Sequence, residues 1–258
     1  MKEYSSFHPL YMSFYSPDIY RHTARNGKGF GFVYLVILVA VFLIPKVMSF
    51  DRMIAEVIST EAPAIANQTP EITITKGKVS IKESQPYVIT KSDGKTPLLV
   101  IDTSGNTTFS NTEALYIVTE SKVLVRPQQG GWQHIDLSSL DGVVINKSSI
   151  YEFLDWIEDW IFFLIYPFAF VMALGYRLLQ AFLCGVVGVA FARSKGYPFA
   201  YSSAVRVASF ALTPAVVVGS LLVVLNFTIP YWDVISFGAA LGYTVFGVRS
   251  SMGADMTA

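Results

Sequence analysis

Residues 207–232 run for 26 positions without a charged side chain. A helix needs about 20 apolar residues to cross the hydrocarbon core of a bilayer, so this run is long enough by itself. Four shorter uncharged runs accompany it, at 29–45, 160–176, 178–192 and 234–248, closed by Lys46, Arg177, Arg193 and Arg249. The 17 residues of 29–45 also suffice, and 234–248 suffices with its aromatic lead Tyr231-Trp232. Charged residues make up only 15% of the 258, where a soluble domain carries roughly 25%. Mean hydropathy is +0.46. A disordered chain is excluded, and an ordinary soluble enzyme fits poorly. The expected fold class is an α-helical integral membrane protein that also carries a water-soluble part.

Topology follows from the cations. The first run comes after Lys2, Arg21, Arg25 and Lys28, and no small-x-small cleavage site follows it. It reads as an uncleaved signal anchor, because a cleaved signal has a shorter core and such a site. The stretch 160–192 is harder. As one helix, its 33 residues would be roughly 50 Å long, against a core of about 30 Å. Lys and Arg accumulate on the cytoplasmic side of a membrane. A single crossing here puts Arg193, Lys195 and Arg206 on the side of Arg21, Arg25 and Lys28, and Arg249 joins them after two more spans. Two crossings would move all four outside. The expectation is four spans with both termini in the cytoplasm: 29–49, about 168–192, 207–227 and 231–248. Residues 1–28 form a cytoplasmic segment, and 150–167 form an interfacial helix that bends at Pro167, since proline is a common cause of kinks.

Between the first two spans, 51–159 holds 9 Lys/Arg against 15 Asp/Glu, a net charge of −6, while the whole chain balances at 19 and 19. Period-two alternation bounded by turn residues predicts strands. Glu71-Ile72-Thr73-Ile74-Thr75 alternates, Lys76-Gly77-Lys78 turns, and Val79-Ser80-Ile81-Lys82 alternates again. Runs at 87–90 and 98–101 flank Ser92-Asp93-Gly94. Runs at 115–118 and 123–125 flank Glu120-Ser121, and Gln129-Gly130-Gly131 leads into 132–135. The segment 50–149 is therefore expected to be a β-rich extracytoplasmic domain forming one small sheet or sandwich. It needs no metal or disulfide, as the chain has a single cysteine, Cys184. Residues 51–70, with Pro63 and Pro70, read as a short helix and a linker. Ser149-Ile150-Tyr151-Glu152 fits a capping box at the start of the next helix.

Four motifs carry a family resemblance. They are Ser16-Pro17-Asp18-Ile19-Tyr20-Arg21, Gly27-Lys28-Gly29-Phe30-Gly31-Phe32-Val33-Tyr34-Leu35, Leu99-Val100-Ile101-Asp102-Thr103-Ser104-Gly105 and Leu212-Thr213-Pro214-Ala215. In these the chain resembles, over nearly its whole length, a bacterial membrane-protein family catalogued as domain of unknown function eleven eighty-nine. The resemblance implies a bacterial inner-membrane protein with an extracytoplasmic insert. It brings no catalytic residues. The family is distantly similar to the five-span Yip1-like proteins, which act in membrane organisation and trafficking, and that likeness implies a fifth span.

Few residues invite chemistry. Asp102-Thr103-Ser104-Gly105 resembles an aspartic-protease turn, but there is no second copy to supply the paired carboxylate. The simpler reading is an Asx turn that closes a strand. His8, His22 and His134 are scattered, so no metal site is expected. Nothing points to a cofactor or to nucleic acid. Three residues remain as candidate intramembrane sites. Arg177 interrupts an apolar stretch, and a charge there is costly enough to suggest a function. Asp233 is the only acid of the last two spans, and reads as an outer-edge residue beside Trp232 rather than as a partner of Arg177. Pro214 stands mid-span, where neighbours must satisfy a freed carbonyl. Ala204, Ala208, Ala211 and Ala215, with Gly238 and Gly242, form small-residue faces suited to close helix packing. The expected role is a non-enzymatic scaffold, sensor or accessory subunit, with a transporter or lipid-handling protein as the alternative. Its expected partners are the lipid bilayer and either another protein or a second copy.

Overall fold

The computed structural model describes residues 8–26, 30–105, 113–127 and 131–252. Gly27-Lys28-Gly29 of the opening motif and Gln129-Gly130 of the expected turn lie outside the described residues. The chain divides into two compact units, one of Met1–Phe50 with Phe162–Ala258 and one of Asp51–Ile161.

The first unit is helical. It contains α1 (His8–Met12), α2 (Pro17–Asn26), the first part of α3 (Phe30–Gln68) and the later part of α4 (Lys147–Ser194). It is completed by α5 (Tyr201–Ala211), α6 (Thr213–Val224) and α7 (Trp232–Met252). Three helices are long and apolar enough to cross a membrane: Gly31–Gln68, Lys147–Ser194 and the joined α5–α6 stretch Tyr201–Val224. With its 21 residues, α7 is not among them. Its small and hydroxyl residues, together with Asp233 and Arg249, dilute its apolar character.

Residues 8–26 are packed against the helices. Ile19 and Tyr20 are fully buried, together with Leu35, Val207, Phe210 and Val248. The last carbonyls of α2 lack helical partners and carry the negative end of its dipole. Arg206 of α5 supplies both needs. It donates to Thr23 O at 3.3 Å and to Ala24 O at 3.0 Å, and Ser203 adds a bond to Ala24 O at 3.1 Å. From the other side, Arg21 donates to Ser250 O at the end of α7.

The second unit is built on eight short strands in two sheets. β1 (Ile72–Thr75), β2 (Lys78–Ser80) and β8 (Val143–Ile145) form an antiparallel sheet in the order β2-β1-β8. β3 (Tyr87–Thr90), β4 (Pro97–Ile101), β5 (Tyr116–Val118), β6 (Lys122–Val125) and β7 (Gln133–Asp136) form the second in sequence order. Its pairs are antiparallel except β4 with β5, where Val100 lies opposite Ile117 in a parallel register. Ile72, Ile74, Val79, Ile101 and Leu137 close one apolar cluster.

Two local expectations are corrected. Residues 51–68 are not a short helix and linker but the continuation of α3. They contain no glycine and hold four Ala and two Glu, which favour helix. The cap of α4 is Asn146 rather than Ser149. Asn146 Oδ1 accepts from Ser149 N at 3.0 Å, and Asn146 N donates to Ser149 Oγ at 2.8 Å, a reciprocal box three residues earlier than expected. The stretch 150–167 and the residues after it belong to one continuous helix, α4, with Pro167 inside it.

Candidate functional site

Three charged residues of the helical unit, Lys46 on α3, Arg177 on α4 and Asp233 on α7, act on one another. Arg177 lies on α4, with Tyr176 and Gln180 beside it. Its Nη1 donates to Gln180 Oε1 at 2.6 Å, and Gln180 Nε2 donates to Tyr176 Oη at 3.0 Å. The guanidinium also stands 5.4 Å from the centre of the Tyr176 ring, within cation–π range. Gln180 is only 3% exposed, so both ends of its amide are occupied and it holds Arg177 in one place.

Arg177 shares a cleft with Lys46 of α3. Val39, Phe42, Leu43, Ala173 and Val216 line the rest of it. The two cations are close enough to repel each other, and Asp233 is close enough to attract both. Among the described residues, neither cation forms a direct ion pair with a carboxylate. Asp233 stands in the first turn of α7, where the helix dipole favours a negative charge. Its place is set by its neighbour Trp232, whose Nε1 lies 2.9 Å from where a Cβ on Gly219 would stand. Only glycine at 219 leaves room for that indole.

The sequence singled out Arg177 and Asp233 as separate residues, and the structure brings them into one electrostatic neighbourhood. Asp233 was expected to stand apart from Arg177. Lys46 was passed over because it merely closed the first apolar run. Its place beside Arg177 is read only from the cleft that the two share.

Pro214 lies near the middle of the joined α5–α6 stretch, at a break between the two helices. It falls in the first turn of α6, just after the join at Leu212. There a missing N–H costs nothing within the helix. Its neighbour Thr213 is fully buried and shares a hydrogen bond of 2.7 Å with Tyr34 Oη. The Tyr34 ring stacks on Phe210 at 4.3 Å between centroids. Thus Leu212-Thr213-Pro214-Ala215 and the Tyr34 end of the opening motif meet at one buried contact between α3 and the α5–α6 join.

In the β unit Asp102 is buried, and its Oδ1 accepts from Ser104 N at 2.9 Å, the Asx turn that sequence suggested. Thr103 N donates to Gln85 Oε1 at 2.6 Å. Among the described residues, no group of three His, Cys, Asp or Glu is placed to hold a metal.

No curated protein and no solved structure matches the chain. One family model does, over residues 7–248, described as protein of unknown function DUF1189. With nearly all of its length matched, this chain belongs to that family.

Proposed function

We propose that the protein is a polytopic bacterial inner-membrane protein that works as a non-enzymatic scaffold, sensor or accessory subunit through an extracytoplasmic β domain. The observation that carries this reading is the division of the chain. One unit contains the helices apolar enough to span a membrane, and the other, Asp51–Ile161, is a strand-built body bearing the acid surplus. The chain passes between the units inside α3 and inside α4. A partner bound to the β domain would thus act on two segments that continue as membrane helices.

In this reading α3, α4, α5–α6 and α7 make four spans. Arg21, Arg25, Arg193, Lys195, Arg206 and Arg249 then lie in or next to the cytoplasm. Reporter fusions after Ser104, after Gly196 and at the C-terminus should read outside, inside and inside. An outside reading at Gly196 would remove the four-span topology.

The role itself is tested by crosslinking in native membranes, followed by purification of the full chain. A stoichiometric partner should be recovered, and it should be lost when residues 71–145 are replaced by a short linker. Recovery of the same partner without the β domain would sink the scaffold reading.

A further inference from the structure

We propose that the cleft between Lys46 and Arg177 binds the phosphodiester of an anionic phospholipid, with an acyl chain against Phe42, Leu43 and Ala173. This goes beyond the scaffold reading and does not depend on any protein partner.

Two cations and five apolar side chains share one cleft. An amphiphile with an anionic head and a hydrocarbon tail matches both parts of that lining. Arg177 spends one donor on Gln180, and a guanidinium carries five, so its planar fork can still grip a phosphate. Gln180 and Tyr176 fix the position of that fork beforehand. Lys46 adds a compact second charge from the facing helix.

The charge balance narrows the ligand. Lys46 and Arg177 repel each other, and Asp233 offsets only one of the two charges. The cluster keeps a net charge of +1, which a singly charged phosphodiester neutralises. In a partly desolvated place such compensation matters more than at a surface. A lipid with a net charge of −1 therefore fits better than a zwitterionic one, whose own cation would meet Lys46 and Arg177.

The level also suits a lipid head. Each of the three charges stands 16 residues along its helix from Phe30, Arg193 or Arg249, roughly 24 Å at 1.5 Å per residue. In a core about 30 Å thick that is near the outer surface, where head groups begin. That level rests on the topology proposed above, whereas the cleft itself does not.

The shared chemistry is a phosphate anion, and two sources offer it, a lipid head or inorganic phosphate in solution. The test is equilibrium binding of phosphatidylglycerol to the full chain in detergent, read by native mass spectrometry, with phosphatidylcholine as the zwitterionic comparison. Phosphatidylglycerol should be preferred. Lys46→Gln and Arg177→Gln should each weaken it about tenfold, as loss of a charge-assisted contact does. Arg177→Lys should weaken it less, because charge survives without the fork. Arg193→Gln removes a charge from the same helix outside the cleft and should leave binding unchanged. Asp233→Asn should tighten phosphatidylglycerol by a few fold, roughly the reverse of adding one charge at partial screening. That gain is one that a purely structural role for Asp233 would not produce. If Arg177→Gln fails to fold, Lys46→Gln and Asp233→Asn still decide the matter. Equal loss from Lys46→Gln and Arg193→Gln would overturn the site, as would indifference between the two lipids. Full displacement of lipid by inorganic phosphate would assign the cleft to a soluble anion and overturn the lipid.

Discussion

A Cβ built on Gly247 of α7 would stand 2.7 Å from both Tyr20 Cδ1 and Val207 Cγ1, whereas one built on Gly94 in the β unit would meet nothing within 4 Å. Gly94 instead has φ of +66°, a conformation that favours glycine. The helical unit uses small residues to let helices touch. Gly185 lies under Val205, and Gly188 lies under Val248 and Thr244. The β unit is held by hydrogen-bonded turns and side-chain clamps. Gln68 Oε1 accepts from Thr90 N at 2.9 Å and Thr90 Oγ1 at 3.0 Å, while its Nε2 donates to Thr90 O at 3.1 Å. The contrast follows from what each unit can bury. Helices with apolar residues on most sides gain specificity from shape. Strands of three to five residues bury little, and depend on satisfying every polar group at their ends.

The sharpest way to break the helical half is Gly247→Val. The new side chain has no room beside Tyr20 and Val207, so α2 must leave its seat on α7 and α5. Overpacking alone costs about 1–3 kcal/mol, and losing the seat would add the caps from Arg206 and Ser203. The expected outcome is a severe drop in thermal stability in detergent, or failure to accumulate in membranes. A variant with wild-type melting would show that α2 is not held by this contact.

Next in size is Gln68→Ala, aimed at the β half. One side chain serves Thr90 three times and Ala64 O once. Leaving such half-buried groups unsatisfied costs about 1–3 kcal/mol. The melting transition followed by strand circular dichroism should fall, with the helical signal less affected. It also implies that a fragment beginning at Glu71 lacks a main anchor of β3, so a fragment of 51–161 should outlast one of 71–146 in urea. Equal midpoints for the two fragments would show that the end of α3 contributes nothing to the sheets.

Gly94→Ala is smaller again. Space is open, so only the positive φ is penalised, by about 1 kcal/mol. Compared with Gly247→Val, it separates the two uses of glycine: one substitution fails for want of room, the other for want of a dihedral. A larger effect at 94 than at 247 would reverse the comparison.

The strands were the most legible part of the sequence. Alternation at 72–75 reports directly on which side chains face a core, and the β-branched and apolar runs at 87–90 and 123–125 mark strands by composition. β8 was missed because Val143, Val144 and Ile145 are too short a run to alternate, and their partner is β1, far away in sequence. The parallel pairing of β4 with β5 was equally invisible, as register across a crossover leaves no local trace. Among helices, the apolar runs were clear, but their ends were not. Phe50 and Asp51 look like an exit from an apolar run, yet nothing there stops a helix from continuing. In the candidate site, Arg177 and Asp233 stood out as charges in apolar surroundings. Their proximity, and the share of Lys46, depend on how α3, α4 and α7 pack. That packing is set by glycines such as Gly219, whose role is read only once Trp232 is placed against it.

The smallest effect expected is a pH dependence in the turn that Gly94 completes. Asp93 lies fully exposed there, and its carboxylate accepts from the Thr96 hydroxyl, from Thr96 N at 2.8 Å and from Lys95 N at 2.9 Å. The Thr96 bonds first, and then that from Lys95, hold its pKa at about 2, below the ordinary 3.8. A carboxyl whose pKa is lower folded than unfolded stabilises the fold only while ionised. Its contribution is therefore complete above pH of about 4 and is lost as the pH falls through about 2. Asp93→Asn keeps an oxygen that can accept but removes the charge, so this dependence should vanish. Other carboxyls titrate in the same range, so the informative quantity is the difference in melting temperature between the two proteins, followed from pH 5 to pH 2. That gap should narrow as acid is added, and at neutral pH it should stay below the loss from Gly94→Ala, because Asp93 is screened by water on all sides. A gap that holds constant through the acid range would mean that the carboxylate of Asp93 contributes by shape alone, as the glycines of the helical unit do.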